Sequence, residues 1–337
     1  MKNHVKTILK LLLVVAIVAA IIYTFRDMVG PILKELGETP VWVILVICGA
    51  GICYHLVEGW INCSFARQYQ PSFSYRMGVE SAFYCSFYRV ATLGSGAGLA
   101  AVYYFNGKGI PVPKATGMYM VEYVIHKISI ALFSAVFFLI NFGFMKHYYN
   151  DYFGMLSAGY GLTFLIAAAL LLFCCSKALH RLVIGLLDKI NRKGRFDAQA
   201  AMLREQCGIL ETATAELMTK KQFILSIVGK NMLKFAFFYG IPFVILTQEY
   251  GLTLLQSWAV TSLSVMLAAV IPSPAGIGSS EFVLAALFAV LVGTGAAGSA
   301  ALLYRFATFV VPFLMGGIVV LVYKRIDRRL AAREQNK

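Results

Sequence analysis

The chain has 337 residues, of which 59% are hydrophobic and 14% charged, with a mean hydropathy of +0.74. Soluble domains carry about 25% charged residues, so a soluble globular fold is excluded. The formal net charge of +14 would suit nucleic acid, but 22 of the 30 Lys and Arg lie in terminal and connecting segments between long apolar runs. That distribution is the positive-inside bias of a membrane protein, and no polar segment is large enough to offer the basic folded surface that nucleic acid needs.

In chain order, Lys2, Lys6 and Lys10 stand at the head of an apolar stretch, Thr7–Phe25. It exceeds the usual hydrophobic region of a signal peptide and has no clear cleavage site before Arg26 and Asp27, so an uncleaved first helix is expected. Further spans are expected at Val41–Phe65, Ala115–Met145, Phe153–Cys175, Phe223–Thr247, Leu252–Ile271 and Ala296–Tyr323. Each approaches or exceeds the roughly 20 residues that cross a bilayer as a helix. None alternates as barrel strands do. Met77–Phe105 is apolar but broken by Gly94, Gly96 and Gly98, and Phe282–Val292 is short for a span.

Charge fixes the parity of crossings. With the N-terminus inside, the acidic loop Arg26–Glu38 lies outside. The connector Ser176–Lys221, with nine Lys and Arg, and the tail from Lys324, with six, lie inside. Met77–Phe105 must then cross an even number of times, as a hairpin does, and the part after Phe223–Thr247 an odd number. The expected fold is therefore an all-α polytopic membrane helix bundle of about seven to eight transmembrane helices, with one or two broken or re-entrant elements. Four segments are expected. A first membrane half, 1–175, holds the broken element 77–105; a basic cytoplasmic connector follows at 176–221. The second membrane half, 222–323, holds the Pro/Gly loop 271–281, and a basic cytoplasmic tail closes the chain at 324–337. Gly96-Ala97-Gly98 and Gly276-Ile277-Gly278 sit 180 residues apart in matching small-residue loops. They suggest an internal two-half repeat with a transport site at the broken elements; small residues also serve plain helix packing.

Within the connector, Leu182, Ile184, Leu186, Leu187 and Ile190 suit an amphipathic helix on the inner leaflet or a solvated linker. The seven cysteines form no C-x-x-C pair and read as small packing residues.

Ionisable groups at membrane depth are costly and are functional candidates by default. Glu58, Glu80, Arg89, Glu122, His126, Lys127, Lys230, Lys234, Glu281 and Arg305 fall in apolar surroundings. Glu58, Glu80 and Lys230 lie near span ends, where snorkelling is the expected behaviour. Glu122 and His126 are one helical turn apart, as are Lys230 and Lys234. Glu281 opens the helix after the Gly loop, where a helix N-terminus favours a carboxylate. Arg305, deep in the last span, needs an anion, either Glu281 or a lipid phosphate. His55 and Glu58 have no H-E-x-x-H context, so no metal is expected. Gly94–Gly98 lacks the βαβ setting of a dinucleotide site, and no G-x-S-x-G or P-loop occurs, so no catalytic residue and no cofactor are assigned.

The stretch Ile271–Gly316, reading IPSPAGIGSSEF and then VLAALFAVLVGTGAAGSAALLYRFATFVVPFLMG, resembles the transmembrane region of the lysylphosphatidylglycerol synthase/flippase family and its stand-alone relatives. That family carries a Pro-x-Pro-Gly-Gly-x-Gly loop, a Glu three residues on, and a Tyr-Arg in a helix ending near Pro. Pro272, Pro274, Gly276, Gly278, Glu281, Tyr304, Arg305 and Pro312 match; Ala275 replaces a loop glycine. Many relatives have Gly-Glu in the first small-residue element, where this chain has Gly98-Leu99.

The resemblance implies a membrane protein that moves an aminoacylated lipid to the outer leaflet, a change of surface charge linked to resistance to cationic antimicrobial peptides. Full-length synthases add a cytosolic domain that transfers lysine from aminoacyl-tRNA to phosphatidylglycerol; none is read in this sequence. The expected partner is a phospholipid, anionic or aminoacylated, bound through Arg305 with Arg89 on the phosphate and Glu281 or Glu122 on a cationic head group. Two alternatives stay open. The chain is the membrane component of a phosphatidylglycerol lysyltransferase whose catalytic half is separate, or it anchors a lipid-linked glycosyltransferase. Oligomeric state is open, and the expected location is the cell membrane with both termini cytoplasmic.

Overall fold

The computed structural model describes residues 30–152, part of 154–189, and 197–334 apart from Pro272, Pro274 and Ala275. The expected spans Thr7–Phe25 and most of Phe153–Cys175 lie outside the described residues. The amphipathic stretch at 182–190 is described only in part and is helical at those positions. Among the described residues there is no strand, and the chain is a polytopic helical membrane protein.

After a helical stretch at 30–38, α1 (Val41–Ala66) follows Pro40 and continues for 26 residues. At about 1.5 Å per residue that exceeds the roughly 30 Å of a bilayer's hydrocarbon core. The expected broken element is present. Helix α2 (Tyr75–Ala91) and α3 (Ala97–Gly107) are separated at residues 92–96, where Leu93 (φ 52°) and Gly94 (φ 104°) both have positive φ. Gly98, expected in the break, lies inside α3. Helix α4 (Val112–Ile140) starts with Pro113 in its first turn, where the missing N–H costs nothing, and ends at Asn141, whose side-chain Nδ2 donates to the Phe137 carbonyl at 2.9 Å. A short α5 (Phe142–Tyr149) follows.

In the connector, α6 (Asp197–Met218) packs along α4. The expected single span Phe223–Thr247 is instead two helices, α7 (Lys221–Tyr239) and α8 (Ile241–Tyr250), bent by 42°. Gly240 sits at the bend, and Pro242 lacks the N–H that would continue the ladder. Gly251 (φ 64°) ends α8 in the left-handed conformation common after helix C-termini.

Helix α9 (Leu254–Ala268) opens on a capping box. The Gln256 amide N–H donates to Thr253 Oγ1 at 3.3 Å, and the Thr253 amide donates to Gln256 Oε1 at 3.0 Å. It ends three residues earlier than expected, in tight turns from Leu267 and Ala268. Ile271 precedes a proline, which disfavours the helical backbone there. Helix α10 (Ser279–Val292), then Gly293 (φ 80°), then α11 (Thr294–Arg305) form a tight pair. A π-helical turn at Phe306–Val310 leads into α12 (Val311–Glu334). Among the described residues Thr294–Tyr323 is a third helix of spanning length in addition to α1 and α4, with the α7–α8 pair a fourth candidate.

The chain forms two compact units. One takes the residues up to His55, Ala82–Ala100 and Phe237 onward; the other takes Leu56–Ser81 and Ala101–Ala236. In the first unit α8, α9, α10 and α11 pack on one another. There α2 and α12 cross at Gly316, where an added methyl would lie 2.4 Å from the Phe83 carbonyl oxygen, and Phe87 stacks on Phe313 with centroids 5.1 Å apart. In the second unit α1 and α2 cross glycine on glycine. A methyl on Gly78 would lie 2.1 Å from the Gly59 carbonyl oxygen, and one on Gly59 lies 2.6 Å from the Val79 backbone. Small residues permit such backbone contact in membrane helices. Large apolar side chains point outward elsewhere: Leu45 is 67% exposed, Leu225 73%, Phe282 69% and Leu321 70%. On these helices that surface suits acyl chains rather than water.

Candidate functional site

The loop before α10 is built on glycine. Gly276 has φ 72° and Gly278 φ 83°, conformations that a side chain at Cβ disfavours. Around the turn Ser273 Oγ and Ser279 Oγ lie 2.5 Å apart. The turn aims the Gly278 amide N–H back at Glu281, and it donates to Glu281 Oε2 at 2.8 Å. Glu281 therefore sits in the first turn of α10, where the helix dipole favours its charge. Pro272 and Pro274 lie outside the described residues.

The other carboxylate oxygen of Glu281 meets Arg305. Nε lies 2.8 Å from Oε1, with the side chains only 9% and 14% exposed. The Nε–H is not aimed along that line, since neither atom completes a hydrogen bond of good geometry. The contact is thus chiefly ionic, which a low dielectric strengthens. The guanidinium also lies over the Phe309 ring, 3.7 Å from its centroid. Eleven residues separate Arg305 from Thr294, the nearer end of its span, or about 16 Å along the axis, too far for easy snorkelling. The π turn begins directly after Arg305, and such turns recur at functional positions because they unlock the helical hydrogen-bond ladder.

A second charged cluster lies in the other unit. The Lys234 ammonium is fully buried and donates to Glu58 Oε2 and, at 2.9 Å, to His126 Nδ1. Ligand atoms of Glu58, Glu122 and His126 all lie within 4.8 Å of one another. Phe235 closes the cluster, edge-on to His126 at 5.2 Å. The sequence placed Glu122, His126 and Lys234 at membrane depth but took Glu58 for an interfacial group. The structure adds that Glu58 pairs with Lys234 across 176 positions, a tertiary contact that helix position alone does not report. Lys230 does behave as a half-buried group, over the Trp60 ring at 4.6 Å with its ammonium on Ser64 Oγ.

The structure thus brings Glu281 and Arg305 together with Gly276 and Gly278 in one unit. It gathers Glu122 with His126, Glu58 and Lys234 in the other. Arg89 is exposed on the last turn of α2, beside the break at 92–96. Asn231, fully buried with no hydrogen bond on either side-chain atom, was missed; its one-turn spacing from Lys234 was the available signal.

Buried ion pairs among apolar helices, several of them of spanning length, mark a multi-pass helical membrane protein. The model of the lysylphosphatidylglycerol synthase transmembrane region matches residues 7–316, and the chain belongs to that family. No curated protein matches the chain.

Proposed function

We propose that the protein translocates a phospholipid across the cell membrane. The substrate is lysylphosphatidylglycerol or a related lipid carrying a phosphate and an amine, and both chain termini are cytoplasmic. The observation that carries this reading is the buried Glu281–Arg305 pair at the glycine break, deep within a span. Removing one charge from such a pair leaves the other desolvated and alone. A head group with a phosphate and an ammonium replaces one ion pair with two. Its phosphate takes the guanidinium and an ammonium takes the carboxylate, so neither buried side-chain charge is left alone. Family membership supports a lipid of this chemistry. The clustering of basic residues in connector and tail supports the orientation.

The test is the labelling of outer-leaflet lysyl lipid by a membrane-impermeant amine reagent, in cells that supply the lipid from a separate soluble synthase domain. At matched total lysyl lipid, the chain raises labelling. Glu281→Gln and Arg305→Gln each abolish the rise. The double variant, which leaves no unpaired buried charge and so folds more readily, abolishes it as well. Normal labelling with the folded double variant sinks the assignment.

A further inference from the structure

We infer that the cavity at the Ala66 end of α1 binds an anionic phospholipid, with its phosphate on Arg67 and Lys230 and an acyl chain along Leu56 and Trp60. The site lies wholly within the second unit. It uses neither Glu281 nor Arg305 and does not depend on the transport reading above.

The walls come first. Leu56, Val57, Trp60, Cys63, Arg67 and Tyr75 line an open cavity of about 310 Å³, within the size range of small-ligand sites. Leu56, Trp60, Cys63 and Arg67 follow helical spacing and form one stripe that passes from apolar to cationic. Arg67 lies one residue past α1 but keeps the helical bond from its amide to the Cys63 carbonyl, at 3.0 Å. Tyr75, the first residue of α2, closes the wall by donating its hydroxyl to the Leu56 carbonyl at 3.1 Å. Leu56, Trp60 and Tyr75 are all exposed, so the apolar side of the cavity opens outward.

Depth comes second. Trp60 stands six residues before Ala66, the last residue of α1, or about 9 Å along the axis. In a spanning helix that is the boundary between acyl chains and head groups, where Trp and Tyr rings collect. Lys230 reaches the same level by snorkelling. Its ammonium lies 4.6 Å from the centre of the Trp60 ring and donates to Ser64 Oγ at 2.8 Å, two residues from the end of α1.

Charge comes third. An ammonium offers three hydrogens and a guanidinium five. Lys230 commits one to Ser64. Arg67 commits its Nε to the Phe73 carbonyl at 2.9 Å, which fixes the guanidinium and leaves both Nη groups for an anion. Among the described residues neither cation has a carboxylate partner. By contrast Arg76, Lys234 and Arg305 each have one, in Glu80, Glu58 and Glu281. The second oxygen of Glu80 is taken by the Tyr104 hydroxyl at 3.1 Å. Lys220, on Gln68 at 2.9 Å, and Lys114, over the Tyr69 ring at 5.5 Å, add positive charge at this end, against one exposed carboxylate near Tyr69, Glu216.

Two cations without counter-charges, set above an aromatic and aliphatic wall at the interface, complement an anionic amphiphile. Free phosphate would gain nothing from Leu56 and Trp60. A zwitterionic head group would bring a cation of its own against Arg67 and Lys230.

Tryptophan quenching tests this in the purified full chain, reconstituted in phosphatidylcholine nanodiscs. Trp42→Phe with Trp258→Phe leaves Trp60 as the one tryptophan; the difference between the natural chain and Trp60→Phe gives the same reading without that background. Phosphatidate brominated on its acyl chains should quench Trp60 at mole fractions roughly 25-fold below those needed with brominated phosphatidylcholine, about fivefold for each cation. Arg67→Gln and Lys230→Gln should each reduce the preference about fivefold, the pair should abolish it, and Glu281→Gln should leave it intact. Equal quenching by the two lipids overturns the proposal before any charge is altered. A preference that persists in the folded Arg67→Gln/Lys230→Gln chain overturns it as well. Millimolar inorganic phosphate should leave the quenching unchanged; release by phosphate would assign the two cations to a free anion and overturn the lipid. Outer-leaflet labelling plays no part in this measurement, so either proposal can fail while the other stands.

Discussion

Gly59 and Gly229 are both helical glycines, yet their surroundings demand opposite things. A methyl on Gly59 meets the Val79 backbone at 2.6 Å, and one on Gly78 meets the Gly59 carbonyl at 2.1 Å, whereas nothing lies within 4 Å of one on Gly229. Gly59→Ala and Gly78→Ala must push two backbones apart, at a cost of about 1–3 kcal/mol from overpacking. Gly229→Ala only removes backbone freedom and stabilises by up to about 1 kcal/mol. Thermal unfolding in detergent should lower the midpoint for the first two and hold or raise it for the third; equal shifts for all three would refute the crossing. The sequence shows these as glycines in apolar helices and no more, because which glycine touches a neighbour is decided by helix placement. Charges were easier to read. Glu281 and Arg305 stood out because bilayer depth penalises them, and the structure pairs them. The pairing of Glu58 was not readable in the same local way. Its partner Lys234 is 176 positions away, and no helical periodicity reports that distance.

At the scale of elements, breaks were more legible than lengths. Glycines marked the interruption between α2 and α3 and the loop before α10, because only they adopt positive φ at little cost. Leu93, which also adopts it at φ 52°, carries no such mark. The bend between α7 and α8 was legible in Gly240 and Pro242 but was passed over, since the apolar run continues unbroken through them. Helix α9 shows how a short helix keeps its start. Thr253 and Gln256 satisfy each other's backbone N–H groups, in a sequence pattern visible in advance. Thr253→Ala should cost about 1 kcal/mol, and the loss should be local. Hydrogen exchange should accelerate in the first turn of α9 and stay unchanged in α4; uniform acceleration would show that the cap does not act locally.

Across the whole molecule, each compact unit holds one charged cluster, and all the members but Glu281, which opens the short helix α10, lie in helices that the sequence identified as membrane spans. That the chain would be helical, multi-pass and of this family was readable from hydropathy and from the Ile271–Gly316 motif. The grouping into units was not, because segments distant in sequence interleave within each. The π turn at Phe306–Val310 ties local geometry to the fold of its unit. On one side of it Arg305 must face Glu281; on the other Gly316 must face Phe83. An α-helix advances about 100° per residue, so the surplus residue of the π turn sets the phase between those two obligations. Deleting Thr308 would restore ordinary helical pitch and turn one contact out of register by about 100°. The deletion should therefore either part Gly316 from Phe83, read as a lower midpoint of thermal unfolding in detergent, or abolish the function of Arg305, whereas Thr308→Ala should spare both. The last span works as a keyed shaft, cut with two flats at a fixed offset, and the single extra residue is the offset.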